Sequence, residues 1–219
     1  VDSTTEKEER TFRYLRYLIA TDLYRYDGDV GARVFWNHFF LGGESRYMIW
    51  CRATRYLSYK GAFYAPLFAF AKFMTKRLRI QYGISIPWRA QIGPGFYIGH
   101  FGCIFVSPGV RIGRNCNISQ GVTIGVSRRG KIGAPTIGDN VYIGPGAKLF
   151  GGIKVGNNVA ISANAVVARN IKSNCIVVNP SPDVIVTDNP SFAIFGSQGY
   201  VNRTDYDLKL GKRETVDPV

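Results

Sequence analysis

The chain has 219 residues, a hydrophobic fraction of 46% and a formal net charge of +13, which suits one domain with an appendage and excludes wholesale disorder. No stretch approaches the roughly eighteen uncharged apolar residues that span a bilayer, and no signal peptide is read at the start, Val1. Cys51, Cys103, Cys116 and Cys175 lie far apart without a C-x-x-C pair, so neither a zinc site, nor any other metal, nor a disulfide framework is expected, and a reducing cytoplasm is the plain reading.

Residues 1–9 are polar and are expected to fray. From Arg10 to about Tyr26, Phe12, Leu15, Leu18, Ile19 and Leu23 recur at the three and four spacing of a packed helix. Asp27-Gly28-Asp29 ends it, and Gly42-Gly43 ends a second apolar stretch, Val34 to Leu41. A third helix is predicted from Glu44 to about Tyr59. The segment Ala62 to Arg79 is apolar first and basic last, with Phe63, Leu67, Phe70 and Phe73 before Lys76, Arg77 and Arg79. It reads as a helix packed on the solenoid end or on another subunit, or as a surface helix on a membrane, through residues 62–80, and Pro66 is expected to kink it.

From Ile92 to Val167 an aliphatic residue returns every sixth position, usually followed by glycine. The series are Ile92, Ile98, Ile104, then Ile112, Ile118, Ile124, then Ile137, Ile143, Leu149, Val155, Ile161 and Val167. Six residues fit neither an amphipathic helix nor a half-buried strand; they fit one strand and one turn of a triangular solenoid, three hexads to a coil. Twelve inward positions make about four coils. The fold expected is mainly β, a left-handed parallel β-helix over residues 83–186, after a helical region over 1–82 and before an irregular tail over 187–219. The step from Ile104 to Ile112 carries two extra residues, and the step from Ile124 to Ile137 carries the basic loop Ser127-Arg128-Arg129-Gly130-Lys131. Solenoid insertions are extruded as loops and often bind ligands, so this loop is the first candidate for an anion. The charge is +6 over 1–80, +8 over 81–186 and −1 over 187–219, which favours a polyanionic ligand; nucleic acid is not expected, because no nucleic-acid motif accompanies the charge.

Only two histidines occur, His38 and His100. His38 lies among Trp36, Phe39 and Phe40 and reads as structural. His100 sits between Gly99 and Phe101-Gly102 on a repeat turn, where an imidazole faces a cleft, and its ordinary pKa near 6.5 suits proton abstraction.

Ile92-Gly-Pro-Gly through Gly99-His100-Phe-Gly, Asn117-Ile-Ser-Gln-Gly-Val-Thr-Ile-Gly125 and Ile143-Gly-Pro-Gly-Ala-Lys148 resemble the hexapeptide-repeat, left-handed β-helix acyltransferases, in their serine acetyltransferase branch. In the helical part Asp22-Leu-Tyr-Arg-Tyr26 and Arg46-Tyr-Met-Ile-Trp50 resemble serine-acetyltransferase-like proteins of capsule and exopolysaccharide clusters. The resemblance implies that His100 is the catalytic base, that acetyl-CoA is the co-substrate, and that it lies in a groove between subunits of a homotrimer; a higher assembly of trimers is left open. It matches Gly125, Pro145 and Ala163 to positions that line that groove; Arg128, Arg129, Lys131 and Lys148 are candidates for its phosphates on charge alone.

Where the family holds the serine amino group with an Asp before the histidine, this chain has Gly99. Gly133 and Ala134 stand where a carboxylate-gripping arginine and a second histidine are expected, and Ser85 where an aspartate orients the imidazole. Asp27 roughly matches a substrate-binding aspartate of the helical part. Burying either charge of a zwitterion unpaired is costly, so the reading reached is acetyl transfer to a sugar hydroxyl of a glycan or glycolipid in cell-surface polysaccharide biosynthesis, in the cytoplasm or at the inner face of the membrane. The alternatives are a serine O-acetyltransferase of cysteine biosynthesis and a catalytically inactive trimeric scaffold.

Overall fold

The computed structural model describes residues 10–128, 130–178 and 184–186; the tail over 187–219 and residues 1–9 lie outside them. Among the described residues four α-helices lead into a parallel β-solenoid of about five coils. Helix α1 (Phe12–Asp27) begins where the Thr11 hydroxyl accepts the Tyr14 N–H at 3.1 Å and stops at Gly28, whose φ of 68° is left-handed. Helices α2 (Ala32–Leu41) and α3 (Glu44–Leu57) meet at the Gly42-Gly43 break. A 3-10 turn, Ala62–Tyr64, precedes α4 (Ala65–Tyr82). Pro66 falls in the first turn of α4, where a missing N–H breaks no intrahelical bond, so it helps start this helix and the expected kink does not arise. No helix among the described residues is long and apolar enough to cross a membrane.

The first coil comprises β1 (Ile84–Ser85), β2 (Gln91–Ile92) and β3 (Tyr97–Ile98), and the second β4 (Ile104–Val106), β5 (Arg111–Ile112) and β6 (Asn117–Ile118). The third is β7 (Thr123–Gly125), β8 (Thr136–Ile137) and β9 (Val141–Ile143), and the fourth β10 (Lys148–Phe150), β11 (Lys154–Val155) and β12 (Val159–Ile161). β13 (Val166–Val167), a bridge at Ile171 and β14 (Cys175–Val177) make a fifth, closed by the antiparallel β15 (Val184–Val186). The count exceeds the four coils expected because Ile84 and Cys175–Val177 build strands outside the span where glycine marks the hexads.

Ile98, Ile124, Ile143, Leu149 and Ile161 are fully buried as the period demands, while Ile92 is only partly covered. A second inward column two residues earlier, Val110, Cys116, Val122, Val141 and Val159, is equally buried, because alternate residues of a short strand share a face. At one corner Asn115, Asn140, Asn158 and Asn174 all hold φ between 54° and 59°, and their side chains bond in a ladder of 3.3, 3.0 and 3.1 Å. The left-handed conformation that each turn requires is one Asn tolerates.

Pairing register moves the two-residue insertion. Ile98 pairs with Ile118, but Val106, not Ile104, lies beside Ile124. The extra residues therefore belong to the turn between β3 and β4, which carries His100, and not to the step from Ile104 to Ile112. The sequence misplaced them because Ile104 is also buried, in the column of Ile84 and Val122.

The helices are fastened to the first coil by buried charges. Asp22 pairs with Arg52 (Nε to Oδ2 3.0 Å, Nη2 to Oδ1 3.2 Å) and accepts the Phe96 N–H at 2.8 Å. Arg52 also donates to the carbonyls of Ile92 and Gly93, Arg25 to Gly95 and Asn117, and Thr21 accepts the Gly95 N–H at 3.2 Å. Burial pushes the Asp22 carboxyl up, and Arg52, the Phe96 amide and Arg25 oppose the shift.

Candidate active site

His100 stands exposed on the lengthened turn between β3 and β4. The turn is braced from both sides by the helical layer. On one side the Tyr26 hydroxyl donates to the Ile98 carbonyl at 3.1 Å and accepts the Ile98 N–H at 3.2 Å. Burial holds this phenol well above its usual pKa, so it remains a neutral group able to do both. The next residue, Asp27, lies 3.2 Å from Nε2 of His38, an ion-pair distance without the alignment of a hydrogen bond. His38 Nδ1 meets the Ser45 hydroxyl at 2.8 Å, and its ring lies 5.3 Å from that of Tyr26. His38 is thus the structural residue expected of it, and Asp27 is held beside the strand that leads to His100.

On the other side Phe101 packs against Tyr82, with ring centres 5.4 Å apart. Tyr82 accepts a bond from Arg46 at 2.9 Å, and a second Arg46 nitrogen donates to the Phe40 carbonyl at 2.8 Å. The Arg46 Nε is buried and finds no hydrogen-bond partner among the described residues. Burial and then the Glu44 carboxylate raise the phenol of Tyr97, which places that acid near β3 as well. Through Tyr26 and Tyr82 the helices that carry Asp27, Glu44 and Arg46 abut the His100 turn, so more charge lies around the turn than the solenoid sequence alone suggests.

Gly99 is open: a Cβ there would meet the Tyr97 ring edge at 3.6 Å, an ordinary contact. Ala134 packs on the core and Gly133 holds φ 123° beside Gly152, so neither presents a polar group. Ser85 lies on β1, paired with Phe105, and the outward column continues through Thr123, Lys148 and Val166.

The cofactor candidates divide by place. Lys148 turns onto the neighbouring coil, donating to the Gly121 carbonyl and to Thr123 Oγ1 at 3.2 Å, so its ammonium lies in the solenoid wall. Gly125 faces Phe150 across a pair in which an added Cβ would lie 2.8 Å from the ring. Pro145 and Ala163 occupy successive coils of one corner, where the Asn164 N–H bonds the Pro145 carbonyl at 2.8 Å. Arg128 and Lys131 are exposed on the extruded loop, which is closed by the Ser127 to Gly133 bridge and pinned by the Gly152 N–H on the Lys131 carbonyl. Neither carries an ion pair among the described residues; Arg129 lies outside them. The His100 turn ends and this loop begins at opposite edges of the five-stranded sheet, in which β4 and β7 pair in parallel. An exposed imidazole at one edge and exposed cations at the other suit a long anionic acyl carrier. Among the described residues no group of three or more His, Cys, Asp or Glu is placed to hold a metal ion.

The residues around the turn that the sequence left unread are Tyr26, Arg46 and the clamp of Arg25 and Arg52. One signal was available: Asp22 and Arg25 fall on the same helix as Leu15, Leu18 and Leu23, and charges set among core positions need buried partners.

Two family descriptions match the solenoid: "Bacterial transferase hexapeptide (six repeats)" over residues 134–169 and "Hexapeptide repeat of succinyl-transferase" over 89–126. A serine acetyltransferase of Mycobacterium tuberculosis is 32% identical over 164 residues, 74% of this chain and 63% of that one. One from Staphylococcus xylosus is 38% identical over 123 residues, 55% of this chain and 56% of that one. The crystal structure of Entamoeba histolytica serine acetyltransferase isoform 3 with cysteine superposes with a TM-score of 0.63 at 29% identity, covering 83% of this chain and 64% of that one. The chain thus spans less than two thirds of the length of these proteins. Their names overturn the expected sugar acceptor and the place in capsule or polysaccharide assembly, since these relatives are all serine acetyltransferases.

Proposed function

We propose that this chain, whose repeat region is that of the hexapeptide-repeat acetyltransferases, transfers the acetyl group of acetyl-CoA to the hydroxyl of L-serine. The observation that carries the reading is His100, an imidazole set on a lengthened turn between groups of opposite charge, in a chain whose relatives are serine acetyltransferases. Asp27, positioned by His38, receives the ammonium of the amino acid, and Arg46 receives its carboxylate; Glu44 adds negative potential on the ammonium side. These helical groups take the part that Gly99 and Ala134 do not play.

His100 removes the hydroxyl proton as the serine oxygen attacks the thioester carbonyl. A carbon–oxygen bond forms, the carbon–sulfur bond breaks, and the imidazolium returns the proton to the departing thiolate, giving O-acetylserine and CoA. Arg128, Arg129 and Lys131 meet the phosphates of the donor, and the backbone around Gly125, Pro145 and Ala163 lies along its arm. The exposed Phe105, Phe150 and Val166 of the same sheet form the apolar face on which a second copy packs, so that a homotrimer encloses the donor.

The test is His100→Ala. Acetyl transfer falls by about 10²–10⁴-fold, the range of a lost general base, while CoA binding measured by calorimetry is unchanged. Transfer within a few-fold of the unaltered chain would remove His100 from the chemistry.

A further inference from the structure

We propose that the outer face of α4, with the adjoining edge of α2, docks on an anionic membrane surface. Helix α4 buries only Ala71, Thr75 and Leu78, a single stripe at spacings of four and three. On the opposite side Phe73 and Ile80 are 59% and 71% exposed, and Phe70 on the flank, Leu67 in the first turn and Phe63 in the preceding 3-10 turn are 50%, 49% and 90% exposed. At 100° per residue Phe73 and Ile80 point directly away from the core, with Lys72 and Lys76 on one flank and Arg77 on the other, all exposed. An apolar line edged by cations is the pattern of a helix lying in the headgroup region, where rings enter the acyl boundary and ammonium and guanidinium groups meet lipid phosphates.

The patch continues beyond α4. Trp50 joins Phe39 at 5.5 Å to Phe70 at 5.6 Å, and from there Trp36, Phe40 and Leu41 run on at 53%, 61% and 81% exposure. Aromatic side chains of this kind are favoured at a water–lipid boundary. Beside them an open apolar cleft of about 850 Å³ lies between α1, α2 and α3, shares Phe39 and Trp50 with the patch, and includes Arg13 and Arg16.

Charge selects the occupant. No Asp or Glu occurs between Glu44 and Asp139, so α4 carries Lys72, Lys76, Arg77 and Arg79 with no acid of its own or of the rest of that stretch. In a twofold pairing of two copies this patch would set like charges against each other, whereas a bilayer rich in anionic lipid supplies the opposite sign along its whole plane. The inference does not depend on the acetyl-transfer reading, and its test uses no substrate.

The full chain is co-sedimented with phosphatidylcholine vesicles and with vesicles that also contain phosphatidylserine. The expected result is retention on the anionic vesicles only, weakened by added salt, and reduced at least about tenfold by Phe73→Ser with Ile80→Ser and by Lys72→Gln with Lys76→Gln and Arg77→Gln. These side chains are exposed, so the folded state is checked by an unchanged circular dichroism spectrum. Failure of the unaltered chain to sediment with anionic vesicles overturns the proposal. So does a Phe73→Ser and Ile80→Ser variant that still sediments but changes its oligomeric state, since the face would then be covered by a second copy.

Discussion

A solvent-exposed histidine is ordinarily a solvated side chain, and the difference at His100 lies in its turn. The two added residues lift the imidazole clear of the sheet, and Tyr26 and Phe101 fix the base of that turn against the helices. In the proposed reaction, specificity for serine rests on two further residues. Asp27 is partly exposed and lies 3.2 Å from His38, and Arg46 keeps one buried nitrogen that finds no hydrogen-bond partner among the described residues. Replacing Asp27 by Asn or Arg46 by Met therefore raises the KM for serine by about tenfold or more, the order lost when one charge of a zwitterion goes unanswered, while kcat changes less. Steady-state kinetics at saturating acetyl-CoA separate the two constants. A KM unchanged in both variants would place serine elsewhere. Asp27 was legible through the resemblance, but Arg46 was not, because the departures at Gly99 and Ala134 describe only what the solenoid contributes, and the charges proposed to compensate lie on helices some fifty or more residues upstream.

At the scale of elements, the decisive contact is the joint between the helical layer and the first coil. Asp22 and Arg52 are both about 5% exposed or less, and together with Arg25 they satisfy the carbonyls and amides of the Ile92 to Phe96 corner. Removing one partner of a buried pair leaves the other uncompensated, so Arg52→Met should cost about 3–5 kcal/mol of stability. Urea unfolding followed by circular dichroism checks this, and a loss below about 1 kcal/mol would show that the joint is held otherwise. The helices themselves were readable to within a few residues, since Gly28 and Gly42-Gly43 punctuate them and three and four spacing marks their buried faces. Pro66 was misread because a proline kinks a helix only from its interior, and the sequence did not show that the helix begins one residue earlier, at Ala65.

For the whole molecule, the six-residue period announces the solenoid because one inward aliphatic per strand must stack on its equivalent in the next coil. What the period hides is register: buried Ile104 imitates the next hexad, and only the pairing of Val106 with Ile124 shows that the spare residues lie in the His100 turn. The opening strand of the first coil and the closing strand of the last escaped notice for a related reason, as Ile84 and Cys175–Val177 stack on the core without the glycine that marks other turns. Function follows the same division. Donor chemistry is written in the repeats, whereas the acceptor depends on how the helices sit against them, and the poverty of charge in the solenoid pointed falsely to a neutral sugar. The account stands or falls on the initial rate of thiol release from acetyl-CoA with L-serine as the only acceptor. It predicts saturable release that depends on serine and yields O-acetylserine; release no faster than in the absence of serine, by a folded chain that binds CoA, would contradict it.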